Sequence, residues 1–108
     1  MAFDPDRAYT EVISAGEDWA DKKSAYEALD DVTKSILAQL TGDALQSGGS
    51  HAQAQTGALA SDGYRTHLKA LGEARRAFLM AQVRYDGLKM LAELRRTQES
   101  TRRAEMKL

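Results

Sequence analysis

Basic residues are the side chains of this sequence that best suggest chemistry, and they concentrate toward its C-terminal end. Residues 61–108 hold eleven basic and six acidic side chains, whereas residues 1–60 hold ten acidic and four basic ones. Arginine outnumbers lysine in the C-terminal group, which favours forked hydrogen bonds to phosphates and carboxylates. The candidate nucleic-acid-binding residues are Arg75, Arg76, Arg84, Lys89, Arg95, Arg96, Arg102 and Arg103.

The spacing of the last two arginine pairs admits two interpretations. The pairs at 95–96 and 102–103 are seven residues apart, so on a helix they lie on one side and can follow a nucleic-acid backbone. Alternatively, basic residues near a helix C-terminus complement the helix dipole. They could also pair with acidic side chains of the same or a neighbouring chain. The sequence leaves both interpretations open.

The acidic first half also has two interpretations. Its side chains can form a solvated helix face, or they can imitate a row of phosphates and occupy a basic groove on another protein. The residues concerned are Asp18, Asp21, Glu27, Asp30 and Asp31.

Patterns typical of enzymes and metal sites are missing from the sequence. His51 and His67 are sixteen residues apart and form no zinc-binding motif. Asp30 and Asp31 point about 100° apart on a helix and cannot converge on one ion. The Gly48-Gly49-Ser50 segment lacks the lysine of a phosphate-binding loop, and the chain has no cysteine. We therefore expect a protein without catalytic residues, metal or cofactor, in which His67 is structural.

The first element that must position these side chains is a long helix predicted over residues 4–41. Asp4 can cap it, Pro5 suits its first position, and Thr41-Gly42 is a typical end. An apolar seam with spacings of three and four runs along it, interrupted by two polar residues. The seam comprises Val12, Ala15, Trp19, Lys22, Tyr26, Leu29, Thr33, Ile36 and Leu40.

A flexible loop that contains Gly and Ser is predicted over residues 42–60, and it has room for a short helix from His51. A second long helix is predicted over residues 62–104. Its seam comprises Tyr64, Leu68, Leu71, Ala74, Phe78, Ala81, Tyr85, Leu88 and Ala92. Two long helices joined by one loop predict an all-α antiparallel helical hairpin with coiled-coil-like packing.

The second helix carries a further apolar stripe roughly opposite its seam. A helix in a lone hairpin has only one partner to pack against, so this stripe predicts a homo-oligomer interface. The alternative is that the 51–60 segment, or the start of the first helix, folds over it. The stripe consists of Leu79, Met80, Val83, Gly87, Met90, Leu91 and Leu94.

Length and composition limit the class of protein. A chain of 108 residues, 43% of them apolar, forms at most one helical domain over 1–108 with a modest core. No apolar run reaches the ~20 residues of a membrane span. The start, MAFDPDRAYTEV, is too acidic and polar for a signal peptide. Because cysteine is also absent, we expect a cytoplasmic protein that does not enter membranes.

The second helix and the tail contain Tyr64, a small-residue face at Ala74, Ala77 and Ala81, Tyr85, and the ending RRTQESTRRAEMKL. In these features the chain resembles small helical proteins of tailed phages and prophages. The outline is also similar to phage recombination mediators, which load a recombinase onto coated single-stranded DNA and form rings with basic residues facing the strand. Residues 62–108 contain no counterpart of the extra C-terminal helical region with which those mediators assemble.

Together these features predict a non-enzymatic accessory of phage DNA recombination or replication, which oligomerises and contacts nucleic acid through its basic C-terminal helix. The resemblance implies single-stranded DNA or a DNA-processing protein as partner, in the host cytoplasm. A different class of function is a protein–protein interaction module, either an assembly factor or an inhibitor that uses the acidic first helix. A structural oligomer of a phage particle is a third.

Overall fold

The computed structural model describes residues 4–107, and these residues form helices without a strand. The helices are α1 (Pro5–Asp31), α2 (Thr33–Leu45), α3 (His51–Leu59) and α4 (Asp62–Met106). The all-α prediction is confirmed. Residues 1–3 and 108, which belong to the single domain expected over 1–108, lie outside the described residues.

The start of α1 follows the predicted cap. Asp4 Oδ1 accepts hydrogen bonds from the Asp6 backbone N–H at 3.0 Å and from the Arg7 backbone N–H at 3.4 Å. Pro5 is the first helical residue, where its missing N–H costs nothing because that group has no partner within a helix.

The helix predicted over residues 4–41 requires a correction, because it is interrupted at Val32 and continues to Leu45. Val32 keeps helical dihedral angles (φ −87°, ψ −3°). Beside it, the Thr33 hydroxyl donates to the carbonyl of Leu29 at 3.1 Å. A threonine hydroxyl that donates to a carbonyl of the preceding turn bends a helix. The aspartates and β-branched residues around Val32 are also weak helix formers.

The flexible loop predicted over residues 42–60 is also corrected, because most of it is helical. Gly42 lies inside α2, where a glycine costs about 1 kcal/mol but does not stop the helix. The chain turns instead at Gly48 and Gly49, whose φ angles of 96° and 97° are readily adopted only by glycine.

The short helix anticipated from His51 is confirmed as α3, which begins with a capping box. The Gln53 backbone N–H donates to Ser50 Oγ at 3.2 Å, and the Ser50 backbone N–H donates to Gln53 Oε1 at 3.1 Å. Each side chain thereby satisfies a backbone donor at the helix start.

The α4 helix begins at the predicted position and ends two residues beyond the predicted end at 104. Ser61 caps it by accepting a hydrogen bond from the Tyr64 backbone N–H at 3.2 Å. The helix contains Gly63, Gly72 and Gly87 without interruption, because helix formers surround each of them.

The described chain divides into two compact units. The first comprises residues 4–22 with residues 78–107, and the second comprises residues 23–77. In the second unit α2 packs on α3, with Thr41, Ala54 and Ala58 buried. These small side chains allow the two helix backbones to lie close together.

In the first unit, the core seam joins α1 to α4. Ala15 and Ala81 are buried, and the Trp19 and Tyr85 rings stack with centroids 5.9 Å apart. The predicted seam positions of α1, α2 and α4 are buried or half-buried, with one exception. Leu68 is the exception at 47% exposure, while its neighbour His67 is 8% exposed.

Gly16 fits tightly against Tyr85. A Cβ atom at this position would lie 3.0 Å from Tyr85 Cε1. The Tyr85 ring is held in place because it stacks on Trp19 and has Lys89 Nζ 4.3 Å from its centroid. We expect Gly16→Ala to lower the free energy of unfolding by about 1–3 kcal/mol, since overpacking outweighs the gain in helix propensity. Urea unfolding followed by circular dichroism measures this.

The matched control for that prediction is Gly72→Ala. Gly72 is exposed in α4, and an added Cβ meets no described atom within 4 Å. Alanine should therefore raise the free energy of unfolding there by up to about 1 kcal/mol. Equal effects of the two substitutions would contradict the close packing of Gly16.

Candidate nucleic-acid interface and apolar stripe

All eight predicted nucleic-acid-binding residues lie on α4, and all eight side chains are exposed. Arg75 and Arg76 belong to the second unit, whereas the other six belong to the first. The helix places the six in two rows, because its residues turn by about 100° each.

The first row contains Arg84, Arg95 and Arg102. Separations of eleven and seven residues keep the three side chains within about 20° of one another and spread them over about 27 Å. Arg84 differs from the other two, because no acidic residue that could neutralise its charge lies three or four positions before or after it in the sequence.

The second row contains Lys89, Arg96 and Arg103, about a third of a turn away from the first. Lys89 Nζ lies 3.4 Å from Asp86 Oδ1, in addition to its position over the Tyr85 ring. Arg96 and Arg103 line an open cleft of about 1000 Å³ together with Glu93 and Glu99. The second row is therefore partly neutralised by carboxylates of its own helix.

The two segments of the first unit carry opposite charge. Residues 4–22 hold six acidic and two basic side chains, and residues 78–107 hold seven basic and four acidic ones. Pro5, next to the acidic cap of α1, lines the same cleft as Arg96 and Arg103. Despite the opposite charge of the two segments, the ion pairs of Arg7, Lys22 and Lys89 each join residues three or four positions apart in one helix. Such exposed pairs contribute little to the stability of the fold.

The second apolar stripe faces outward in the first unit. Val83 and Met90 are each 70% exposed, and Met80 and Leu94 are 59% and 56% exposed. Leu79 and Leu91 are exposed by just over 40%. An added Cβ at Gly87 would meet no described atom within 4 Å. The described residues thus leave the stripe accessible to another molecule, and its role as an oligomer interface stays a prediction.

The three aromatic side chains of α4 belong to the core seam. Tyr64, Phe78 and Tyr85 are half-buried and do not offer an open row of rings on which bases could stack. Tyr9 of α1 is different: it is 69% exposed and lines a cleft of about 440 Å³ with Lys89 and Arg96. The sequence alone does not single out Tyr9, because its spacing of three from Val12 is also that of a core position.

The two histidines lie in the second unit and differ in their surroundings. His67 is buried, and its Nε2 lies 2.8 Å from Thr33 Oγ1. Because Thr33 donates its hydroxyl proton to Leu29, it accepts from His67 when Nε2 carries the proton. This contact explains the polar interruption of the seam at Thr33 and fits a structural role for His67. His51 is exposed at the start of α3.

Comparison with protein-family models, with curated proteins and with solved structures gives no match. Within residues 4–107, no three His, Cys, Asp or Glu side chains converge as metal ligands would. No helix of this part of the chain has the length and hydropathy needed to cross a bilayer.

Proposed function

We propose that this chain is a non-enzymatic accessory of phage or prophage DNA transactions, which self-associates and binds nucleic acid through α4. One observation carries the proposal. In the first unit, α4 presents exposed basic side chains in two rows, and the same helix presents an exposed apolar stripe. The stripe offers a means of bringing several basic surfaces together, as in the phage recombination mediators that the sequence resembles.

Binding would rest chiefly on phosphate contacts. Six arginine and lysine side chains on one segment of helix can neutralise several phosphates and release their counterions, which makes affinity strongly salt-dependent. Contacts of this kind carry little sequence information. Because a single copy offers few of them, the proposed assembly raises affinity by multivalency.

The architecture that we propose for this role is a helical hairpin with coiled-coil-like packing. Two contacts in the first unit support it. Pro5 lines a cleft with residues 93–103, whereas Gly16 approaches Tyr85. Moving forward along α1 thus corresponds to moving backward along α4, as in two antiparallel helices. We propose the cytoplasm of the host cell as its location.

The acidic side chains of α1 support a second candidate function, that of a protein-binding module. Of the five acidic residues that suggest such a surface, Asp21, Glu27, Asp30 and Asp31 are exposed and Asp18 is half-buried. Residues 4–22 carry three times as many acidic as basic side chains. Such a surface could occupy a basic groove on a nucleic-acid enzyme or act in assembly.

Fluorescence anisotropy of labelled oligonucleotides tests the leading proposal. The protein is titrated into single-stranded and duplex DNA at low and at moderate salt. We expect binding at low salt that weakens steeply as salt is added. Absence of binding to both forms at low salt would remove nucleic acid as the ligand and leave the acidic α1 as the better lead.

A further inference from the structure

Four of the six large side chains of the second apolar stripe are placed symmetrically about Gly87. Met80 and Leu94 lie seven residues before and after Gly87, and Val83 and Leu91 lie four residues before and after it. A two-fold axis that passes beside Gly87, between two antiparallel copies of α4 and perpendicular to both, would place Met80 opposite Leu94 of the second copy and Val83 opposite Leu91. A patch that matches itself under two-fold rotation is what an isologous dimer requires.

The amount of exposed apolar surface suits such a contact. From the exposed fractions of its six large side chains, the stripe offers on the order of 600 Å² of accessible apolar surface per copy. This area is at the upper limit of the apolar patches that monomers expose, and it is near the area that each partner buries in a modest dimer interface. Gly87 stands at its centre with open space around it. A helix without a side chain at that point allows a neighbouring backbone to approach closely.

Charge determines the direction in which two copies can pack. Residues 95–107, which are the end of α4 and the residue that follows it, hold five basic and two acidic side chains. Parallel packing would place two such basic tails side by side. Antiparallel packing about Gly87 separates their centres by about 40 Å at 1.5 Å per residue, well beyond the roughly 8–10 Å over which exposed charges interact at physiological salt.

We infer that a second copy of this chain packs its α4 antiparallel on this stripe, with the two-fold axis at Gly87. The inference rests on the self-association proposed above and adds its geometry. The dimer presents one basic tail at each end, so that a single nucleic-acid strand or duplex can contact both tails.

Cross-linking of single-cysteine variants tests this geometry directly, because the chain has no cysteine of its own. Met80→Cys and Leu94→Cys are treated with a short bismaleimide, which tolerates thiol separations that a disulfide would not. We expect cross-linked dimer when the two variants are mixed, and none above background with either alone. Ser100→Cys, exposed on α4 outside the stripe, measures background from random collisions.

The remaining outcomes separate this inference from the proposed self-association. Cross-linking of each variant with itself would show parallel packing and overturn the inference, while retaining self-association. Background levels in every sample, with a dimer mass in light scattering, would place the contact on another face and also overturn it. A monomer mass at high concentration would overturn both.

A glycine substitution provides a second test that needs no cross-linker. In the proposed dimer the two Gly87 residues meet at the axis, so Gly87→Ala should raise the dissociation constant of the dimer by on the order of tenfold. Gly72→Ala makes the same change in the same helix outside the stripe, and should leave the constant unchanged. Sedimentation equilibrium measures both. Equal constants for the two variants would contradict a crossing at Gly87.

Discussion

Replacing Arg95, Arg96, Arg102 and Arg103 together with alanine is expected to abolish most of the affinity for nucleic acid. The two pairs contribute two members to each row of α4, and all four side chains are exposed. If each contacts one phosphate, the slope of log affinity against log salt should fall by about three to four, since each contact contributes roughly 0.7–0.9. Anisotropy titrations at several salt concentrations measure both quantities.

The matched control removes the same number of positive charges elsewhere. Arg7, Lys34, Arg65 and Lys69 are exposed side chains outside the two rows, and replacing all four with alanine changes the net charge by the same amount. We expect this variant to keep nearly the whole salt slope. If both variants weaken binding equally, attraction comes from net charge alone, and the two rows of α4 are not the interface.

Introducing a charge into the apolar stripe is expected to have the largest effect on assembly. Val83 is 70% exposed on the single chain, so Val83→Asp should leave the fold of one copy intact. In an interface the carboxylate would be buried without a partner, at a cost on the order of 3–5 kcal/mol. We expect light scattering to show a shift toward the monomer mass of 11.9 kDa.

Val32→Asp is the control for that substitution. Val32 is 43% exposed and lies between α1 and α2, outside the stripe and outside the first unit, and substitutions at such surface positions usually change stability little. The fold and the assembly should both tolerate it. A mass that stays the same for Val83→Asp as for the unmodified protein would reject the stripe as an interface.

The two experiments together also distinguish the candidate functions. A DNA accessory that acts by multivalency should lose affinity for DNA when Val83→Asp separates its copies, although no basic residue has changed. A protein-binding module that uses α1 should keep its partner after both sets of substitutions. Loss of assembly without loss of DNA affinity would show that one copy suffices for binding.

The helical secondary structure and the apolar faces of the helices could be predicted from the sequence, because both depend on the spacing of residues close together in the chain. Residues three and four apart share a helix face whatever the rest of the chain does. The seam positions from Val12 to Ala92 are accordingly buried or half-buried apart from Leu68, and the second stripe is exposed. The caps at Asp4 and Ser61 involve only neighbouring residues, and they too were predictable.

The tertiary structure decided the features that depend on residues far apart in sequence. Gly42 stays helical and the turn falls at Gly48 and Gly49, because packing of α2 on α3 outweighs the weak helix preference of one glycine. His67 is buried in place of Leu68 because Thr33, thirty-four residues earlier, provides a hydrogen-bond partner for its ring. Periodicity cannot reveal such a partner, since it depends on which helices meet and in what register.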